Sequence, residues 1–208
     1  MGFLVDWQIQ NLCYHPEDPD KPLVTPFEPE LLNQVSIDVR LGPEILISVP
    51  EWGSRSEIYG QRVVIDGKHW CKINLNTYKL GFGIEPGERV LGHTVETFNL
   101  PDDIIGFFHL KSSRAREGIG HPIAGLCDPG WNQSVLTLEL TNTDPNTYIK
   151  LYNNLLIGQM TFFKLDSLPL VSYNKVGHYN GDNTVTASKT NGESDKIWRP
   201  KYERNQMS

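Results

Sequence analysis

Short apolar runs that alternate with polar residues, cut by turn signals at close intervals, dominate this chain and leave little room for helices. Val35-Ser-Ile-Asp-Val-Arg-Leu41 alternates with period two, the pattern of a strand with one face buried. Ile45 to Val49, Arg62 to Ile65, Arg89 to Thr94, Ile104 to Leu110, Val135 to Thr141, Tyr148 to Leu151 and Leu155 to Leu165 also read as strands. Ile84-Glu-Pro-Gly-Glu88 and Asp128-Pro-Gly-Trp131 are Pro-Gly turns between them. Asn153-Asn154 tolerates the left-handed conformation that a tight turn demands. Pro22 to Pro29 reads as a loop, and Asp6 to Cys13 as a short helix with Trp7, Ile9 and Leu12 on a partly apolar face. Such a pattern closes into an all-β barrel or jelly-roll, not the helix-covered sheet of an α/β protein.

A chain of 208 residues is long enough for one domain with a proper core, assigned here to residues 1–189. Residues 190–208 turn polar and form a tail in which Trp198 and Tyr202 are candidates for docking on a neighbour. Glu51 to Gly60, polar and glycine-bearing, reads as a surface loop or insertion. No apolar run approaches the ~20 residues of a membrane helix, and the N-terminus lacks the basic-then-apolar order of a signal peptide. Cys13, Cys71 and Cys127 are scattered and odd in number, which offers neither a disulfide framework nor a Cys-x-x-Cys metal site. A reducing, cytoplasmic setting is the expectation. The net charge of −6 argues against a nucleic-acid surface, yet a small phosphate ester needs only a local basic cluster.

Lys111-Ser-Ser-Arg-Ala-Arg116 is that cluster. Guanidinium groups match phosphate oxygens bidentately, and the hydroxyls of Ser112 and Ser113 add donors. An isolated cluster of this kind is more often a solvated basic loop. Here it follows an apolar strand and precedes Gly118 and Gly120, at the opening of a sheet edge. Next comes Asp128, whose carboxylate either caps its own Pro-Gly turn or stands free for chemistry. In Val135 to Thr141, Leu136, Leu138 and Leu140 share one face, and Glu139 shares the other with Val135, Thr137 and Thr141. A glutamate there is either plain solvent exposure or a general base whose pKa rises among apolar neighbours.

These segments, in this order, resemble the trimeric dCTP deaminases, which share a fold with the dUTPases. The resemblance runs from Val35-Ser-Ile-Asp-Val-Arg-Leu-Gly42 to about Lys189. It implies a mainly β, dUTPase-like distorted barrel or jelly-roll (β-clip) with few short helices. The family's Arg-Ser-Ser-x-Ala-Arg reads Lys-Ser-Ser-Arg-Ala-Arg here. Triphosphate gripping therefore falls on Lys111 with Ser113 beside it, the attacking water on Ser112, and the cation beside the catalytic glutamate on Arg116. Lys111 keeps the charge but loses the fork. The aligned glutamate is Glu139, where dUTPases carry an apolar residue. Asp128 takes the pocket floor near the sugar 3′-hydroxyl, and Trp131 excludes a 2′-hydroxyl. Ala124 and the Ile-Gly-Gln strand's Gln159 complete the pocket.

The same resemblance implies that the deaminase uses no zinc, and the His-x-Glu…Pro-Cys-x-x-Cys signature of zinc deaminases is absent from this chain. Mg²⁺ would come in on the triphosphate. Partners would be dCTP and dUTP, dTTP as a candidate inhibitor, and two further copies of the chain, with sites where subunits meet; no nucleic acid or membrane is expected. His178 to Lys189 matches the family's C-terminal lid in Tyr179, Ser188 and Lys189, while His178 replaces lysine, Asp182 replaces glutamine and the Gly-Pro pair is missing. Ala124-Gly125-Leu126 resembles the forms that carry dUTP on to dUMP, which leaves dUTP and dUMP both open as products. Two other readings stay open. One is a diphosphatase working through Asp128; the other is a non-catalytic nucleotide-binding regulator acting through the 51–60 insertion and the tail. The six histidines show no ligand spacing and read as structural or surface.

Overall fold

The computed structural model describes residues 2–49, 60–65 and 67–189. The expected insertion, apart from Gly60, and the tail with Trp198 and Tyr202 lie outside the described residues. In chain order the strands are β1 (Gly2–Phe3), β2 (Val24–Thr25), β3 (Ile37–Arg40), β4 (Glu44–Ser48), β5 (Gln61–Ile65), β6 (Lys68–Asn74) and β7 (Phe82–Ile84). They continue as β8 (Arg89–Phe98), β9 (Ile104–Leu110), β10 (Ile119–Gly120), β11 (Leu126–Cys127), β12 (Ser134–Asn142), β13 (Ile149–Leu151) and β14 (Leu156–Lys164). Short α-helices span Asp6–Tyr14 (α1), Ser112–Arg116 (α2) and Tyr173–Val176 (α3). None of these helices is long and apolar enough to cross a membrane.

Two antiparallel sheets share one core. The larger runs β10-β12-β8-β4-β6-β5, with β2 beside β8; the smaller runs β1-β14-β9-β11, with β3 beside β14. β7 and β13 pair separately. Ile45, Ile47, Cys71, Ile73, Leu138 and Leu140 of the larger sheet pack against Ile37, Val39, Ile104, Met160 and Phe162 of the smaller. Each fully buried side chain of this size contributes roughly 1.5–3 kcal/mol, so the sandwich is held mainly by the alternation seen in the sequence.

The expected mainly β architecture is therefore the one observed, with informative differences. β6 was not anticipated: Cys71 and Ile73 are fully buried in period two, but the flanking lysines and His69 hide the pattern. β8 extends beyond Thr94 because Glu96, fully buried, has a partner. Arg40 donates to it from its backbone N at 2.9 Å and from Nε at 2.7 Å. A buried carboxylate without such donors would cost several kcal/mol. Val24–Thr25 of the expected loop joins the large sheet beside β8. Asn154 does adopt a left-handed φ of 64°, but the strands it separates pair with β7 and with β9 rather than with each other.

A second, smaller cluster lies on the outer face of the large sheet. Val185 and Ala187 of the C-terminal segment cover Leu46 and Leu91 there, with Val63, Ile65 and Trp70 packed around them. The segment from His178 to Lys189 is thus a strap folded back over its own sheet.

Candidate active site

Between that sheet face, the loop from Ala124 to Trp131 and the strap opens a cleft of about 880 Å³. Its sheet wall is built by cross-strand pairing. Glu139 on β12 stands opposite Leu91 on β8, and Thr141 stands opposite Arg89. Period-two geometry therefore sets a carboxylate between an apolar side chain and a cation. The expected alternation slips once: the β8–β12 register shifts between Val135 and Thr137, where the Leu136 amide donates to Thr94 Oγ1 at 2.9 Å. Leu138 and Leu140 stay in the core, while Leu136 is only half-buried and also lines the cleft.

Glu139 is the distinctive group. Its side chain is 25% exposed, but Oε2 is buried without a hydrogen-bond partner. Burial pushes its pKa up, and the Arg89 charge only partly offsets this. His121 Nε2, also buried and unpartnered, faces that oxygen at 3.5 Å. Nothing in the spacing of the histidines marked His121 as different from the other five.

The second wall is the turn Asp128-Pro129-Gly130-Trp131, closed by the Trp131 amide donating to the Asp128 carbonyl at 3.1 Å. Gly130 has φ 86°, the left-handed third position of a type II turn, and a Cβ there would stand 2.1 Å from Ser172 Oγ. The Asp128 carboxylate is exposed at the cleft and accepts no hydrogen bond among the described residues, so it does not cap its own turn. It raises the pKa of the neighbouring Cys127 and of Tyr173, both of which burial has already raised. Trp131 is buried and stacked on Phe98 with centroids 5.9 Å apart. Its Nε1 donates to the Tyr179 carbonyl at 3.0 Å.

The strap forms the roof. The Asn132 amide donates to Asn180 Oδ1 at 2.9 Å, and the Val135 amide to the Asp182 carbonyl at 2.8 Å. Thr184 donates to Glu44 at 2.5 Å. Lys189 closes a 2.5 Å ion pair with Asp182 and sits 5.3 Å from the centre of the Tyr179 ring. Asp182 stands where the family lid has glutamine, and Lys189 pairs with it inside the strap, bracing the strap's own fold.

Of the residues singled out from the sequence, Ala124, Asp128, Trp131, Glu139 and Tyr179 line one cleft, and Lys189 lies at its roof. Ser112, Ser113 and Arg116 do not line it; all three are exposed on α2. Lys111 is half-buried and its Nζ pairs with Asp38 at 2.5 Å. Gln159, opposite Asp38 in the β3–β14 ladder, accepts from Ser36 Oγ at 3.3 Å and is also outside the cleft. Arg89, Lys68, Trp70 and His121 belong to the site or its margin and were not singled out, while Asp182, named as the lid's replacement for glutamine, also lines it. The first three enter through β6 and β8, whose pairing no local motif encodes.

No three His, Cys, Asp or Glu groups cluster as metal ligands among the described residues. A divalent ion carried on a triphosphate would take its ligands chiefly from phosphate oxygens and water.

A family model described as dCTP deaminase-like matches residues 4–165. A protein of Methanoculleus marisnigri named dCTP deaminase, dUMP-forming, is 32% identical over 166 residues, covering 78% of this chain and 81% of its own. One of Corynebacterium kroppenstedtii with the same name is 36% identical over 174 residues, covering 80% and 87%. Among solved structures, the deoxycytidine triphosphate deaminase of Agrobacterium tumefaciens has a TM-score of 0.57 at 22% identity, covering 78% of this chain and 48% of that one. The present chain spans about half the length of that structure, and the likeness is one of fold.

Proposed function

This chain belongs to the dCTP deaminase-like family, and from that premise we infer that it is a hydrolase that deaminates dCTP in dUTP and dUMP metabolism. The observation that carries the chemistry is Glu139, a half-buried carboxyl with a raised pKa in the same cleft as Asp128 and Trp131. Water adds to C4 of the cytosine, forming a C–O bond. Glu139 takes the proton from that water and hands it to N3. The hydroxyl proton of the adduct then leaves with the amino group as the C4–N bond breaks, giving dUTP and ammonia. A carboxyl tuned toward neutrality suits both halves of this transfer.

The remaining roles are proposals. The chain works as a homotrimer in which Ser112 and Arg116 of one subunit complete the cleft holding Glu139 of the next. Their exposure on α2, away from their own cleft, supports this. Ser112 holds the attacking water, and Arg116, with Ser113 nearby, binds phosphate oxygens of the triphosphate, whose other oxygens would carry Mg²⁺. Lys111, committed to Asp38, has a smaller share in phosphate binding than the resemblance implied. Trp131 shields the face that would meet a 2′-hydroxyl. Ala124, Tyr179 and Lys189 close around the nucleotide, while dTTP is a candidate competitor for the same pocket. The cell compartment is cytoplasmic; three buried, free cysteines suit a reducing one.

We further propose that dUTP is hydrolysed to dUMP and pyrophosphate in the same cleft, with Asp128 activating the second water. The exposed, unbonded Asp128 carboxylate supports this, as do the Ala124-Gly125-Leu126 sequence and the names of the relatives.

The test is dCTP with Mg²⁺, following ammonia, dUTP, dUMP and pyrophosphate together. Ammonia with dUMP and pyrophosphate is expected. Glu139→Gln should release no ammonia while still binding dCTP; full turnover by that variant sinks the mechanism.

A further inference from the structure

We propose that His121 is a positioning residue for Glu139, sharing one proton with it across the buried contact between Nε2 and Oε2. The inference rests on Glu139 being the proton carrier. His121 is 6% exposed, and the Pro122 backbone adjoins its ring. With the ring proton on Nδ1, the Nε2 lone pair faces Oε2 at 3.5 Å, and neither atom has another partner. Two lone pairs in a buried contact repel, and a single proton between them turns that repulsion into a hydrogen bond.

Packing holds the imidazole in place. Phe108 lies against it with ring centroids 4.8 Å apart, tilted by 54°. The Phe108 ring fits only because residue 158 is glycine: a Cβ there would come within 2.1 Å of it. Gly125 is pressed to the Phe108 backbone on the other side, where a Cβ would meet its carbonyl oxygen at 2.8 Å. Gly158, Phe108, His121 and Glu139 thus form one packed line into the cleft.

Burial raises the Glu139 pKa and lowers that of His121, which biases the shared proton toward the carboxyl. For catalysis it moves from Oε2 to Nε2. Oε1 becomes free to take the proton from the attacking water, and the imidazolium stabilises the carboxylate it has created. When Oε1 has passed its proton to N3 and ammonia has left, the shared proton returns to Oε2. Among the described residues, the other titratable groups lining the same cleft are Arg89 on β8, Lys68 on β6, Cys127 and Asp128 at the turn, Tyr173 on α3, and Asp182 with Tyr179 on the strap.

Two substitutions at one position test this with opposite signs. In His121→Gln the amide N–H donates to a carboxylate but cannot accept its proton; the acid limb of the kcat profile should move to lower pH, with kcat down about tenfold and KM within about twofold. In His121→Phe the ring packs on Phe108 but no partner remains; the acid limb should move to higher pH, with kcat down about a hundredfold. A packing role alone would move neither limb. As a readout independent of turnover, the His121 imidazole should titrate at lower pH in Glu139→Gln than in the parent, followed by NMR. Unchanged acid limbs in both variants overturn the proposal even if Glu139→Gln is inactive. Full deamination by Glu139→Gln overturns the reading beneath it instead, and the proposal falls with it.

Discussion

Trp131 Nε1 donates to the backbone carbonyl of Tyr179, which joins the turn after Asp128 to the strap over the cleft. Ser134 Oγ stands 2.9 Å from the same carbonyl, so the roof is anchored at two points on one wall. Trp131→Phe keeps the stacking on Phe98 but loses one donor. The strap should loosen by about 1 kcal/mol, seen as faster proteolytic cleavage within residues 178–189. On the proposed placement of the sugar against Trp131, Trp131→Ala should narrow the preference for dCTP over CTP by about tenfold.

The strap docks through Val185 and Ala187 on Leu46 and Leu91. Val185→Asp places a charge in that contact and should undock the strap while leaving the main core intact. A rise in KM of about tenfold or more for dCTP is expected, with little change in the unfolding midpoint. A large fall in melting temperature would instead show that the strap is part of the cooperative fold.

The proposed sharing of sites between subunits of a trimer makes a sharp genetic prediction. Arg116→Ala and Glu139→Gln should each be inactive trimers alone. Co-expressed in equal amounts, they should regain about a quarter of the parental sites, because some interfaces then pair an intact Glu139 with an intact Arg116. A site contained in one chain would regain none.

The pKa of Glu139 also bears on stability. A carboxyl whose folded pKa lies above its unfolded value contributes stability that is fully present below the unfolded pKa and lost as pH rises through the folded one. Ionised Glu139 therefore costs stability at neutral and alkaline pH. Glu139→Gln should melt about 2–4 °C above the parent at pH 8 and level with it near pH 4, by calorimetry.

Lys111 separates structure from phosphate binding. Lys111→Gln leaves Asp38 without its cation and should cost about 1–2 kcal/mol in urea unfolding, with KM for dCTP raised by less than about threefold. A much larger rise in KM would return Lys111 to the triphosphate.

The alternation of apolar residues, the Pro-Gly turn at Asp128 and the glutamate inside Val135 to Thr141 were enough, by themselves, to determine a mainly β fold and to single out Glu139, Asp128 and Trp131. Each of these signals is local, carried by residues that are neighbours along a strand or turn. What tertiary structure alone decided is which distant residues meet. Arg89 reaches Glu139 through the β8–β12 ladder, Asp38 claims Lys111 across 73 positions of sequence, and the strap returns over its own sheet. His121 becomes distinct from the other histidines only because Phe108, seated in the space left by Gly158, turns its ring toward a buried carboxyl. Strand periodicity says which face a side chain takes; only packing says what faces it, since pairing register and burial depend on segments far apart in the chain.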